Sequence, residues 1–119
     1  MKIVGLQEFL ALPQGTVFSK FKPQVFQFPE IKLQRSGEID FCTFNLDHWP
    51  VCDDSGEHHE ILCRMEEDPT FEHPLDFDVT TRDGLYEEKQ LFAIWADADV
   101  ENFIKRLQWS LEKKKEGVV

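Results

Sequence analysis

Several things are scarce in this chain, and each scarcity removes a class of function. No apolar run approaches the roughly 18 residues that a membrane span requires, and the opening Met1-Lys2-Ile3-Val4-Gly5-Leu6-Gln7-Glu8 has no apolar leader segment, so a cytoplasmic location is the expectation. Only six glycines occur, none in a phosphate-cradling loop. The serines (Ser19, Ser36, Ser55, Ser110) stand outside any Gly-x-Ser-x-Gly elbow. Cys42, Cys52 and Cys63 are an odd number of cysteines, which fits a reducing compartment better than a closed disulfide set. Nothing reads as a linker, a repeat or a low-complexity tract, so residues 1–119 are expected to form a single domain. Basic residues are also few, 13 against 23 acids.

What is present is an acidic block. Fifteen of the 23 acids lie between Asp40 and Glu88, where only Arg64 and Arg82 oppose them. Both flanks are mildly basic. Such a field repels nucleic acid and anionic membranes and attracts basic protein surfaces, so the expected partner is a protein with a basic surface, with no direct nucleic-acid binding and no membrane. The simpler reading of the same residues is a solvated surface. Eleven Phe and three Trp, with Leu, Ile and Val, supply a core for an ordinary globular domain.

The pattern predicts an α+β fold: a mainly antiparallel sheet of four to six strands, with a C-terminal helix packed on one face and two shorter helices. Leu6, Phe9 and Leu10 mark a first helix over 6–12, ended by Pro13 and Gly15. Strands are expected at 16–21, 25–28, 31–33 and 38–46, the last with a change of phase between Phe41 and Cys42. Asp53, Asp54 and Ser55 are N-cap residues for a second helix reaching about Glu67, with His58, Ile61, Leu62 and Met65 on one face. Leu75, Phe77 and Val79 alternate with Asp76, Asp78 and Thr80 as in a half-buried strand, and Arg82-Asp83-Gly84 reads as a turn. The continuously apolar 91–96 suits a strand covered on both faces. The last helix carries Val100, Phe103, Ile104, Leu107 and Leu111 on one stripe, opposite Trp109. A Trp on a polar face is either covered by its own chain or offered to a partner.

Candidate chemistry is sparse. His48, Cys52, His59 and Cys63 form a His-x3-Cys, His-x3-Cys arrangement that would offer zinc four N and S ligands, without a Cys-x2-Cys knuckle. His59-Glu60-Ile61-Leu62-Cys63 falls one residue short of the His-Glu-x-x-His metalloprotease helix. Asp76, Asp78, Thr80 and Glu87 match positions 1, 3, 5 and 12 of a calcium loop, but Thr81 replaces its central Gly. Surface histidines on a capped helix, cysteines as small apolar residues and strand alternation account for all of these more simply. No cofactor is expected, and a non-enzyme is the stronger class.

Glu8-Phe9-Leu10-Ala11-Leu12-Pro13-Gln14-Gly15-Thr16-Val17-Phe18, Pro74-Leu75-Asp76-Phe77-Asp78, Arg82-Asp83-Gly84-Leu85-Tyr86, Gln90-Leu91-Phe92-Ala93-Ile94-Trp95 and Asp99-Val100-Glu101 together resemble a group of small acidic proteins encoded by bacteriophages and prophages. The resemblance covers about half the chain, leaves 34–71 unmatched and brings no catalytic residue with it. It implies a small phage accessory protein in the host cytoplasm, binding a host protein stoichiometrically, as anti-CRISPR proteins do. The binding residues are then expected to be Glu57, Glu60, Glu66, Glu67, Asp76, Asp78 and Trp109. Two alternatives are a metal-binding domain or metal-dependent enzyme centred on His59 and Cys63, and a homo-oligomeric structural or assembly protein working through Trp109 and Trp49.

Overall fold

A computed structural model describes residues 1–117 apart from Pro23 and His48. The elements in chain order are β1 (Lys2–Val4), α1 (Leu6–Leu10), β2 (Val17–Lys22), β3 (Val25–Phe26), β4 (Glu30–Arg35), β5 (Phe41–Asn45), α2 (Ser55–Glu67), β6 (Thr80–Arg82), β7 (Leu91–Ile94) and α3 (Asp97–Glu116). The class is α+β. All pairings are antiparallel, in the order β1-β7-β2-β4-β5-β6, with β3 beside β2, so the sheet has seven strands. The strand beyond the expected range is β1, whose three residues are too few to show a period.

The strand expected over 75–80 forms only from Thr80 onward. Asp76 Oδ1 accepts the backbone N–H of Asp78 at 2.8 Å, a local turn that takes the chain out of a ladder. Leu75 makes only an isolated bridge to Pro50, and pairing begins at Thr80. Leu75 and Phe77 are consequently exposed rather than inward-facing. The phase change expected between Phe41 and Cys42 does not occur: β5 alternates, with Phe41 and Thr43 buried and Cys42 and Phe44 half-buried. The irregularity is on the facing strand, where Lys32 pairs with Thr43 but Arg35 with Phe41, so β4 carries the extra residue.

Alternation places Phe18, Phe92, Ile94 and Phe41 on one face, and α1 covers them. Phe9 sits at the centre, its ring stacked 4.0 Å from Phe92 and edge-on to Phe18 (4.6 Å) and Phe41 (4.9 Å). Val4, Leu6 and Leu10 complete this cluster. Lys32 lies within the same layer, only 2% exposed, with Nζ donating to the Leu12 carbonyl at 2.9 Å and 5.7 Å from the Phe9 ring centre. Burial and the nearby Arg35 charge hold its pKa below the ordinary lysine value.

The strand order requires residues 83–90 to travel from edge strand β6 to inner strand β7, and Arg82-Asp83-Gly84 pins the start of that crossing. Asp83 pairs with Lys20 on β2, and its N–H donates to the Phe41 carbonyl at 2.9 Å. Gly84, at φ 67°, donates its N–H to the buried Asp40 Oδ1 at 2.8 Å. Arg82 Nε stands 3.1 Å from Asp40 Oδ2, close enough for charge pairing but off the line of a hydrogen bond.

The C-terminal helix is differently placed. Trp95 donates its indole N–H to Ser19 Oγ at 3.2 Å and meets the Phe103 ring edge-on at 5.5 Å, while the N-terminal ammonium contacts Asp99 at 3.0 Å. Beyond that first turn α3 buries no residue. Exposure of its stripe rises along the helix, from 42% at Phe103 through 48% at Ile104 and 53% at Leu107 to 62% at Leu111, as expected of a helix that diverges from the body.

Candidate functional site

The acidic block is organised around α2. Asp54 caps the helix by accepting the Glu57 N–H at 2.7 Å, which leaves its first turn polarised toward acids. Ile61 is the residue that anchors the helix by burial, and His58 adds a ring contact with Trp49 at 4.8 Å. Leu62 and Met65, expected on the inner face with them, are exposed. At one residue per about 100°, Glu57, Glu60 and Glu67 share the side away from Ile61's apolar neighbours, whereas Glu66 falls beside His59 on the other flank. Glu60, Glu66 and Glu67 are exposed, and Glu57 is half-buried because Oε2 turns back to accept the Asp53 N–H.

Asp68 ends the helix and accepts from both the hydroxyl and N–H of Thr70, which hold its carboxyl below the usual range. Asp76 and Asp78 follow on the turn already described, not on a strand face. Among the described residues, none of the acids from Asp47 to Asp78 takes part in an ion pair. Arg64, the cation within that stretch, stands 4.3 Å over the Phe71 ring instead. The negative field is therefore uncompensated and held on ordered backbone.

Trp109 is about half exposed, and Arg106 (5.3 Å) and Lys113 (6.0 Å) of its own helix approach the ring. No other segment covers it among the described residues. Trp49 is half-buried against α2.

Of the metal candidates, His48 lies outside the described residues. His59 Nε2 and Cys63 Sγ meet at 3.5 Å, one helical turn apart. Burial and the carboxylates of Glu57, Asp54, Asp53 and Asp76 push the Cys52 thiol up, against the thiolate that a zinc ligand or nucleophile must become. Among the described residues, no three His, Cys, Asp or Glu side chains are grouped to hold a metal ion. The calcium-loop spacing is not a loop in space: Thr80 and Thr81 belong to β6.

Sequence reasoning missed an apolar groove of about 380 Å³. Phe28, Leu46, Leu75, Phe77, Phe103 and Leu107 line it, with Asp47 at its edge. Its walls come from four separate stretches, and only Leu75 and Phe77, apolar residues set between acids, hinted at it.

No family model, curated protein or solved structure matches this chain. No helix among the described residues is long and apolar enough to cross a membrane.

Proposed function

We propose that this protein is a small phage accessory protein that acts by stoichiometric binding to a basic surface on a host protein, with counter-defence as the setting that the phage resemblance implies. The observation that carries the reading is the acidic surface of α2 and the turn after it, where Glu60, Glu67, Asp76 and Asp78 have no ion-pair partner among the described residues. A charged surface in which acids pair with neighbouring lysines presents little field. Unpaired carboxylates on a capped helix present their full charge, accelerate encounter with a basic partner and lose affinity as salt rises. Asp47, Leu75 and Phe77 extend the surface into the apolar groove, giving the mixture of apolar centre and polar rim usual at interfaces.

Affinity capture from infected host cells at graded salt tests this. The wild-type chain is expected to retain a protein that elutes as salt increases, and the E60K/E67K/D76K/D78K variant to lose it at low salt. Equal retention by both chains would refute the acidic surface as the binding site.

A further inference from the structure

Two global measures show that this chain is more open than its length warrants. Its radius of gyration is 17.0 Å, where a compact chain of this length has about 13.5 Å. Its accessible surface is 8712 Å², against about 6,700 Å² for a compact monomer of this mass. The excess of about 2,000 Å² exceeds the roughly 800 Å² that each partner contributes to a stable interface of standard size. α3 contributes to that exposed surface, since Phe103, Ile104, Leu107 and Leu111 of its apolar stripe are between 42% and 62% exposed.

The charges along α3 identify what covers that stripe. Asp97 and Asp99 lie in the first turn and Lys113, Lys114 and Lys115 in the last. At about 100° per residue, Asp97, Glu101 and Lys115 border the same edge of the stripe, the edge that carries Ile104 and Leu111. Among the described residues none of Asp97, Glu101, Lys114 and Lys115 has an ion-pair partner. When two such helices pair antiparallel, like edges meet. With Leu107 at the crossing, the acidic end of one helix then lies beside the basic end of the other, twice, and the helix dipoles oppose. A parallel pair would set acid against acid and base against base.

We propose that α3 is a homodimerisation element, pairing antiparallel with α3 of a second copy about a two-fold axis near Leu107. The contact is isologous, so it closes at two chains. It also answers how a chain of net charge −10 associates with itself: α3 holds five acids and five bases, so the pairing helices are themselves neutral. This goes beyond the proposed host interaction and centres on a different element, although Phe103 and Leu107 also form one wall of the groove that borders the acidic surface.

Light scattering and native mass spectrometry on the full chain test it. Wild type is expected to show twice the 14.0 kDa chain mass over the micromolar range. I104D and L107D should be folded monomers by circular dichroism. K115E and D97K/E101K should each dimerise at least tenfold more weakly, and mixing them should restore a dimer containing one of each, since both contacts become attractive again. A monomeric wild type overturns the proposal, as do charge-reversed variants that dimerise normally or a mixture that yields no mixed dimer. A monomer that recruits only a different protein through α3 overturns it too. Because the acidic-surface variant leaves α3 intact, loss of host binding and loss of dimerisation are separate results.

Discussion

The first helix and the last make opposite use of an apolar stripe. α1 has five residues and buries three of them, whereas α3 has twenty and buries none. Hydrophobic content does not explain this, since both carry Phe and Leu at helical spacing. Tethering does. β1 holds α1 at one end, and at the other the turn after it is fixed by Gly15 donating to the Lys32 carbonyl at 2.8 Å, with Gly15 at φ 94°, where a Cβ would be strained. Among the described residues, the hydrogen bonds and ion pairs that tie α3 to the body lie at its start, through Trp95, Ser19 and the Met1–Asp99 pair, and farther along Phe103 and Leu107 face the body only across an open groove. A helix closed at both ends must choose the sheet. One tethered at a single end can diverge from it and leave its stripe to another chain.

The largest expected effect follows from Phe9. Phe9→Ala removes the ring that stacks on Phe92 and meets Phe18 and Phe41, and should cost about 3–5 kcal/mol. Against the about 5–15 kcal/mol typical of a domain, that loss brings the chain near unfolding. The matched change Phe103→Ala removes the same atoms from α3 and should cost about 1–2 kcal/mol at monomer concentrations, because 42% of the residue is already in water. Urea unfolding of both variants gives the contrast, and equal losses would break it.

Next in size is the pin at the start of the β6-to-β7 crossing. Asp40→Ala leaves the Gly84 N–H without its acceptor and Arg82 without its buried counter-charge, a loss of about 1–3 kcal/mol. Hydrogen exchange should show the Gly84 amide deprotected in this variant while Phe18 and Phe92 keep their protection. Uniform protection throughout would mean that the crossing is held by Asp83 and Lys20 alone.

How far the sequence could be read follows the same division. The core helix, the buried strand at 91–94 and the capped helix ending at Glu67 were legible because their burial follows from local period and capping, and Phe9, Phe92 and Asp54 act as expected. Burial of α3 was not legible: a stripe shows which residues would pack together, but not whether the chain brings them to a surface. The strand expected over 75–80 begins only at Thr80 because the Asp76 turn overrides alternation before it. Lys32 was hidden by its charge, and only its position two residues after Glu30 on a core-facing register would have exposed it. Of the candidate site, the acids were read as residues, while their lack of cationic partners needed tertiary structure. The groove was beyond reach, since four distant stretches assemble it.

A smaller effect tests whether the α1 layer bears an ion it would be more stable without. Lys32 has a folded pKa below the ordinary 10.5. Between those two values the unfolded chain binds more protons than the folded one, so stability should rise as pH increases through that window and be flat below it. Lys32→Met keeps the apolar stem and removes the ion, so it should be neutral or stabilising near neutral pH and should abolish the alkaline rise. Urea midpoints across the alkaline range read both. A wild-type profile that falls with pH there would reverse the assignment.

The smallest expected effect carries the most information about α3. Leu111 is the most exposed residue of the stripe, so Leu111→Ala should change monomer stability by less than about 0.5 kcal/mol. A side chain buried only between two copies stabilises the folded state in proportion to how much dimer is present, and unfolding midpoints therefore rise with concentration. In wild type the midpoint should climb over the micromolar range, and in Leu111→Ala the climb should begin at higher concentration with the same dilute limit. An equal shift of both curves at every concentration would place Leu111 inside its own monomer. α3 would then be a docked helix like α1, and the contrast between the two would disappear.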